Sequence, residues 1–280
     1  MKTEFLSLSS ILSLSLREIR NRFFYLFLLA SVGPVTSWLA QGIREGFDPL
    51  QSSASGVSFS GLLVLLFSIL VSTWGLIALV LFVCKRADSF AGVFWLALKR
   101  LPRFIAGMFL YTALIGIYVL VSLLLVGLSG FIFGFQGGLG GLFTGLLFMI
   151  SLAGLVALSV YCILFPYVLI LTDIPIWWTL PAAYTLVKNH FWKTLALVLI
   201  LGLIGGGIYI LSVIALAVVG LAIWWLIPVS RYIFAFLFVV PMALVMLSNQ
   251  IPLIAVYVNR LPILRASLDK FPSHKGPSEN

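Results

Sequence analysis

Long apolar runs dominate the chain, and charged or polar residues bound each run. No Asp, Glu, Lys or Arg occurs between Arg103 and Asp173, and the intervals 22–44, 48–85, 193–231 and 231–260 are also free of charge. Each interval can hold a membrane-spanning helix, which needs about 20 apolar residues to cross about 30 Å of hydrocarbon. The runs are continuous and rich in Leu, whereas barrel strands alternate apolar and polar residues, so helices are favoured over a β-barrel.

The interval after Arg103 has room for two crossings, because six glycines between Gly130 and Gly141 supply a break. Pro34, Pro166 and Pro241 lie at or within the apolar runs and predict kinks or local breaks. The pattern predicts an all-α fold, a polytopic membrane helical bundle with six transmembrane helices. Their predicted spans are 23–42, 60–84, 104–129, 141–171, 194–220 and 232–258.

Three short segments resemble one another where a basic stretch meets an apolar run: NRFF from residue 21, PRFI from 102 and NHFW from 189. Each follows a segment that begins with an acid (Glu4, Asp88 or Asp173) and ends in cations, which suits an amphipathic helix in the headgroup plane. The first segment also contains LSLSL (12–16), whose alternation fits a strand. The apolar stripe consists of Leu8, Leu12, Leu16, Ile19 and Phe23 in the first segment and of Phe90, Phe94, Ala97, Leu101 and Phe104 in the second. The third segment is less regular and is interrupted by Pro181; its aromatic residues are Trp177, Trp178, Tyr184 and Trp192.

These segments predict a single membrane domain, residues 1–267, built from three tandem units (1–84, 85–172 and 173–258). Each unit would be an interfacial helix followed by a helical hairpin, and units of two spans enter the membrane from the same side, as parallel repeats do. The other interpretation is that any multi-span protein places basic and aromatic residues at its interfaces. Three four-residue matches do not decide between them. The polar segment 268–280 is predicted to be disordered.

Composition excludes a water-soluble class, since 62% of the residues are hydrophobic and 9% are charged, against about 25% charged in an average soluble domain. Of the seventeen Lys and Arg residues, all but Arg44 and Arg231 fall on one side of the six-span arrangement. By the positive-inside rule, this asymmetry predicts a protein of the cytoplasmic (inner) membrane with both termini in the cytoplasm. The net charge of +9 is therefore a topology signal, and no nucleic-acid partner is expected.

Reactive groups are sparse. None of the eight carboxylates falls inside a predicted span, and no HExxH, CxxC, GxSxG or P-loop pattern occurs. We therefore expect a non-enzymatic protein without catalytic residues, metal or cofactor. Ion-coupled transport is disfavoured as well, because it usually depends on charged residues within the membrane.

A polar triplet, Ser248-Asn249-Gln250, lies in the sixth predicted span and is followed by Pro252. Pro252 frees a backbone carbonyl near Ser248, and polar side chains can repair that defect. Alternatively, the triplet lines the path of a transporter or channel for a small neutral or lipidic substrate. The second interpretation makes the triplet a candidate intramembrane polar site.

The candidate site for lipids or for a partner membrane protein is a set of cations at the ends of the predicted spans, called the basic collar below. Such cations attract anionic headgroups by about 1 kcal/mol each. Engagement of membrane lipids or of a partner membrane protein through the collar is the predicted function, and transport is the alternative. A third interpretation is that the cations only fix topology. The collar comprises Arg17, Arg20, Arg22, Lys99, Arg100, Arg103, Lys188 and Lys193.

Residues 166–204, PYVLILTDIPIWWTLPAAYTLVKNHFWKTLALVLILGLI, resemble a group of bacterial six-helix membrane proteins that includes the membrane domain associated with glycerophosphodiester phosphodiesterases. The ending AVYVNRLPILRASL (255–268) is also similar. The resemblance implies an integral membrane protein. The phosphodiesterase chemistry belongs to a separate soluble domain, so no catalytic residue is carried over. The matching features are Pro166, Asp173, the helix through Ala183 and Thr185, and Lys188 before the aromatic entry to the next span.

Overall fold

A computed structural model describes residues 7–45, 59–84, 89–133, 138–224 and 239–268. Within these ranges the regular structure is helical throughout. The helices are α1 (Leu8–Glu45), α2 (Phe59–Val83), α3 (Phe90–Phe133), α4 (Gly138–Cys162), α5 (Phe165–Leu171), α6 (Ile176–Val187), a 3₁₀-helix (Lys188–His190), α7 (Phe191–Trp224) and α8 (Val239–Leu268).

Six stretches of the described chain are long and apolar enough to cross a membrane. They confirm the predicted fold class, an all-α multi-pass membrane protein with six spanning helices. The stretch LSLSL lies inside α1, so the strand interpretation is wrong. Residues 232–238 of the sixth predicted span and residues 269–280 of the predicted tail lie outside the described residues. The six stretches are Ser9–Ala40, Gly61–Val83, Phe90–Ile132, Gly138–Leu171, Ile176–Val218 and Val239–Pro262.

The first boundary motif is a kink in α1. Arg22 leaves helical backbone geometry, with φ −133° and ψ 24°. Residues 8–21 therefore form a separate helical segment, called the arm below, ahead of the apolar segment 23–45. The helix runs through Pro34 without a second such residue. The kink in this helix thus lies at Arg22, in the boundary motif, and the backbone at Pro34 keeps helical angles.

The second boundary motif does not interrupt its helix. α3 continues through Pro102 for 44 residues, a length of about 66 Å. The first turns of α3 pack along α2, since Phe90 lies 5.8 Å from Phe82 and Phe94 lies 4.8 Å from Trp74 between ring centroids. This packing holds the segment helical up to the proline. The start predicted at residue 104 is therefore not a helix boundary.

The fourth predicted span contains a break. α4 ends at Cys162, the chain turns at Ile163 and Leu164, and α5 begins at Phe165 with Pro166 in its first turn. Proline suits the first turn because it has no backbone N–H to leave unpaired, and for the same reason it cannot donate to the Cys162 carbonyl four residues earlier, so the hydrogen bonds of α4 do not continue through it. Pro166 was predicted to mark a kink or break, and the break occurs just before it.

Contacts divide the described chain into two compact units. Unit 1 contains the residues up to Leu101 together with Ala196–Leu261, and unit 2 contains Pro102–Leu195 together with the residues from Pro262 onward. This division concerns packing and does not test sequence repetition. The single domain with three tandem repeats stays a prediction.

Unit 1 has its closest helix packing between α1 and α2. A Cβ placed on Gly75 would lie 2.8 Å from Val32 Cγ1 and 2.9 Å from Val32 Cβ. Close by, Thr36 Oγ1 and Ser72 Oγ are 3.0 Å apart and form a hydrogen bond between the two helices. Small residues and hydroxyl pairs of this kind let membrane helices approach closely.

Unit 2 packs α3 against α4 and α5. Tyr118 donates a hydrogen bond of 2.9 Å to the Ser151 carbonyl, and its hydroxyl occupies the space that a side chain on Gly154 would need. Phe165 of α5 is fully buried and lies 5.5 Å from Tyr111 between ring centroids. Elsewhere α3 and α4 expose many large apolar side chains, as helices surrounded by lipid do.

Candidate functional site: the basic collar

Arg22 joins the arm to α2. Its Nε lies 3.4 Å from Glu18 Oε1 in the arm, and its guanidinium carbon lies 5.5 Å from the centroid of the Phe82 ring. Arg22 and Glu18 are both half-buried. The side chain therefore bridges two elements at the residue where the backbone bends.

An aromatic cluster surrounds this position in unit 1. Tyr25 of α1 lies 5.9 Å from Phe82 of α2 and 5.5 Å from Phe90 of α3 between ring centroids. Trp74 donates a hydrogen bond of 3.1 Å from Nε1 to the Phe94 carbonyl. Such contacts use the apolar stripe of the second predicted segment to pack helices together. The stripe therefore serves helix packing, which the sequence pattern alone did not distinguish from packing against lipid.

Lys99 and Arg100 follow two turns after this cluster. Lys99 is exposed, and its Nζ lies 5.6 Å from the ring of Trp95, one turn earlier on the same helix. Arg100 is half-buried. The contact of Lys99 is a cation–π interaction worth about 0.5–1 kcal/mol at an exposed site.

Arg103 is the collar residue with the most specific contacts, all within unit 2. It donates a hydrogen bond from Nη2 to the Ile174 carbonyl, and its Nη1 lies 3.6 Å from Asp173 Oδ1. Because the side chain of Asp173 is 83% exposed, water screens the ion pair and it contributes little stability. Arg103 therefore fixes the segment after α5 against α3, mainly through the carbonyl hydrogen bond.

α6 and the residue that follows it present a regular exposed face. Trp177, Pro181, Tyr184 and Lys188 follow one another at helical spacing, and all four are exposed. Lys188 Nζ lies 5.8 Å from the ring of Tyr184. The opposite side of the helix is buried and holds this face in a fixed orientation. The buried residues are Thr179, Ala182, Ala183, Leu186 and Val187.

The sequence pattern placed Trp177 and Tyr184 in the third segment, but Pro181 looked like an interruption of it. The structure shows that Pro181 belongs to the face and lies inside α6. The i, i+4, i+7, i+11 spacing from Trp177 to Lys188 was the signal that could have identified it.

A second aromatic cluster continues from α6 to α7. Tyr161 at the end of α4 lies 4.9 Å from Tyr184 and 5.0 Å from Phe191 between ring centroids. Trp192 extends this cluster, and both Trp192 and Lys193 are exposed. Unit 2 thus brings Lys188 and Lys193 to one group of aromatic residues.

Arg17 and Arg20 lie on the exposed side of the arm, in unit 1. Neither takes part in an ion pair or a cation–π contact among the residues that the structure describes. Their guanidinium groups are therefore accessible to an external anion.

The polar triplet of α8 has three different environments. Ser248 donates a hydrogen bond of 2.9 Å back to the Val245 carbonyl. Asn249 lies against Gly205 of α7, where a Cβ would be 3.0 Å from Nδ2, and its buried Oδ1 has no hydrogen-bond partner among the described residues. Gln250 is half-buried. Asn249 thus explains why position 205 is small, and it leaves one acceptor unsatisfied within a spanning helix.

Within the described ranges, no group of three or more His, Cys, Asp or Glu side chains could hold a metal ion. The expectation that the protein lacks metal, cofactor and catalytic residues stays a prediction.

The fold and the helix compositions define an all-α multi-pass membrane protein. Comparison with protein-family models, curated proteins and solved structures found no match to this chain. The resemblance to six-helix membrane proteins associated with phosphodiesterases therefore stays a prediction.

Proposed function

We propose that this protein is a non-enzymatic component of the cytoplasmic membrane, with both termini in the cytoplasm, that engages anionic lipid headgroups through the basic collar. The observation that carries the proposal is the face of α6. A helix that is buried on one side and exposes Trp177, Tyr184 and Lys188 in line on the other suits the boundary between headgroups and acyl chains.

Charge distribution supports an anionic ligand. The collar combines eight cations, and two of them, Arg17 and Arg20, are exposed without an ion pair or cation–π contact among the described residues. An anionic leaflet attracts such cations by about 1 kcal/mol each near its surface. The attraction falls off within a Debye length, so it requires cations at headgroup depth. A partner membrane protein with an acidic surface is the other candidate ligand for the same collar.

The proposal is tested with the full chain in vesicles of phosphatidylcholine and phosphatidylglycerol, with one lipid brominated at a time. Bromine quenches tryptophan fluorescence on contact, and the exposed Trp95, Trp177 and Trp192 report on the lipid beside the collar when the other five tryptophans are replaced by phenylalanine. We expect stronger quenching by the brominated anionic lipid than by the neutral one at equal mole fraction. Because about 1 kcal/mol per cation corresponds to about fivefold enrichment before screening, the preference is expected to be at least about twofold.

A fourfold variant, Arg17→Gln, Arg20→Gln, Lys99→Gln and Lys188→Gln, is expected to lose most of this preference. Arg103 stays unchanged because its replacement would release the Ile174 carbonyl. The control is Arg44→Gln with Arg231→Gln, the two cations predicted on the other side. Equal quenching by both lipids in the wild-type protein would contradict lipid engagement. If a membrane protein then co-purified with the wild-type chain and not with the fourfold variant, the result would support a protein partner instead of lipid.

A second candidate function, transport of a small neutral solute, is favoured by Asn249. Its buried Oδ1, inside a spanning helix, lacks a hydrogen-bond partner within the described part of the chain, and polar groups at such depth often serve a substrate path. Glycerol is a suitable probe, and light scattering after osmotic shock measures its entry into vesicles. Transport predicts entry at least about tenfold faster than in protein-free vesicles, lost in Asn249→Leu because that path requires a polar group. Entry at the protein-free rate would exclude glycerol-type transport.

A further inference from the structure

The arm has three distinct faces. Ile11 and Ser15 are buried, and Glu18 and Arg22 continue that face at helical spacing. The exposed remainder of the arm contains an apolar face and a basic one, which together form an amphipathic surface.

The apolar face lies next to the buried face and holds the stripe predicted from the sequence. Within it, Leu16 is 67% exposed and Phe23, just beyond the kink, is 48% exposed, while Leu12 and Ile19 are half-buried. Large apolar side chains at this exposure need a nonpolar environment. The stripe is therefore oriented away from the protein and suited to lipid.

Arg17 and Arg20 form the basic face, beyond the apolar stripe. Glu18 is the one acid between residues 8 and 21, and it lies on the buried side, 3.4 Å from the Arg22 guanidinium. The exposed side of the arm therefore presents two cations and no acid. This charge distribution is complementary to an anionic leaflet.

Four other collar cations are already engaged within the protein. A cation held over a ring must give up about 0.5–1 kcal/mol to leave it, and a partly buried hydrogen bond to a carbonyl holds a guanidinium in place. These residues can border a lipid, but they are less able to reorient toward a phosphate than Arg17 and Arg20. They are Arg22 (Glu18 and Phe82), Lys99 (Trp95), Arg103 (Ile174 and Asp173) and Lys188 (Tyr184).

Arg22 determines which way the arm faces. It lies at the kink, and its side chain contacts Glu18 of the arm and Phe82 of α2 together. A rotation of the arm about its axis would break the ion pair with Glu18. Arg22 is therefore a positioning residue for the arm.

We infer that the arm, residues 8–21, is the part of the collar that binds anionic phospholipid, with Arg17 and Arg20 at the phosphates and Leu16 and Phe23 among the acyl chains. At 1.5 Å per residue it is about 21 Å long, enough to lie across several lipids. The α6 face, with one lysine held against Tyr184, anchors the protein at interface depth and contributes less to the selection of charge. This inference rests on the proposed lipid engagement and specifies where it occurs.

The test compares two double variants that remove the same charge, Arg17→Gln with Arg20→Gln and Lys99→Gln with Lys188→Gln. Both are measured in the brominated-lipid assay described above. The arm variant is expected to bring the enrichment of phosphatidylglycerol close to one, because each exposed cation contributes most of its attraction. The matched variant is expected to reduce it less than about 1.5-fold, since its two ammonium groups remain partly satisfied by rings.

The outcomes separate the inference from the proposed function. Absence of any anionic preference in the wild-type protein contradicts the proposed function. A wild-type preference that both double variants reduce equally, or that the matched variant reduces more, leaves the proposed function standing and overturns the inference. Loss confined to the arm variant supports both.

The role of Arg22 is tested with fluorophores on the arm. A bimane probe is attached to Leu16→Cys or, on the exposed basic side, to Ser13→Cys, with Cys84→Ser and Cys162→Ala in the background. Brominated lipid is expected to quench the Leu16 probe at least about threefold more than the Ser13 probe, because only the apolar face lies among acyl chains.

Arg22→Gln is expected to remove that difference, while the control Arg103→Gln retains it. Because the two probes are compared with each other, the result reports the orientation of the arm. A general loss of stability would change the quenching of both probes and would not remove their difference selectively. Equal quenching of the two probes in the wild-type background, or an unchanged difference in Arg22→Gln, would overturn the positioning role.

Discussion

Replacing Gly75 by Leu is expected to separate α1 from α2 and to lower the free energy of unfolding by about 3 kcal/mol or more. Even a Cβ at this position would lie 2.9 Å from Val32 Cβ, which is attached to the backbone and cannot turn away. The helices must move apart, and the hydrogen bond between Thr36 and Ser72 is lost with them. Reversible unfolding in mixed micelles, followed by circular dichroism as the fraction of dodecyl sulfate rises, measures the change.

The matched control is Gly116→Leu in α3. Position 116 is exposed, and nothing lies within 4 Å of the Cβ that a side chain would add. Leucine there is expected to change the free energy of unfolding by less than about 0.5 kcal/mol, since it extends into space that lipid or detergent fills. Equal destabilisation by the two substitutions would show that α1 and α2 are not in the close contact described above.

Phe165→Ala is expected to lower the free energy of unfolding by about 3 kcal/mol, the lower end of the range for a buried phenylalanine. The side chain is 0% exposed and packs against Tyr111. Loss of the phenyl ring leaves a cavity where α5 packs. The free-energy cost comes mainly from lost packing contacts, because lipid is as apolar as the protein interior. The same micelle titration measures it.

Phe131→Ala provides the comparison for Phe165→Ala. Phe131 is 87% exposed on α3 and has few protein contacts to lose. We expect a change below about 0.5 kcal/mol. If the two alanine variants were equally unstable, the burial of α5 within unit 2 would be contradicted.

These stability experiments also bear on the collar. The α6 face and the arm are useful as lipid contacts only if the helices behind them hold a fixed orientation. In unit 2 the buried side of α6 fixes Trp177 and Lys188, and in unit 1 Arg22 ties the arm to α2. A loss of lipid preference should therefore be interpreted only in variants that retain wild-type unfolding.

The helical fold could be predicted because it is determined by the hydrocarbon that surrounds the chain. A chain in hydrocarbon must satisfy its backbone hydrogen bonds internally, so long charge-free runs imply helices whatever their neighbours are. The six spans were predicted on this basis, and six apolar helical stretches occur in the described chain. Cations and aromatic residues mark interfaces by the same logic, which identified the collar as a candidate site.

Helix boundaries were harder to predict because they depend on neighbours. The motif at Arg22 and the motif at Pro102 look alike in sequence, but α1 bends at the first and α3 continues through the second. Aromatic contacts between α2 and the start of α3 supply the difference, and they join residues that local pattern does not relate. The regularity of the α6 face was not predicted, because Pro181 looked like an interruption, whereas it lies inside α6 on the exposed face.

The sequence by itself determined the all-α membrane class, the number of spanning helices and the positions of the cations, because transfer into hydrocarbon acts on each residue separately. Tertiary structure alone decided which cations are already in contact with other groups of the protein. Arg103 is held by the Ile174 carbonyl and Lys188 lies over Tyr184, whereas Arg17 and Arg20 remain exposed on the arm. That distinction depends on distances between residues far apart in the chain, or on the rotation of one helix face relative to its neighbours, and neither is encoded in composition.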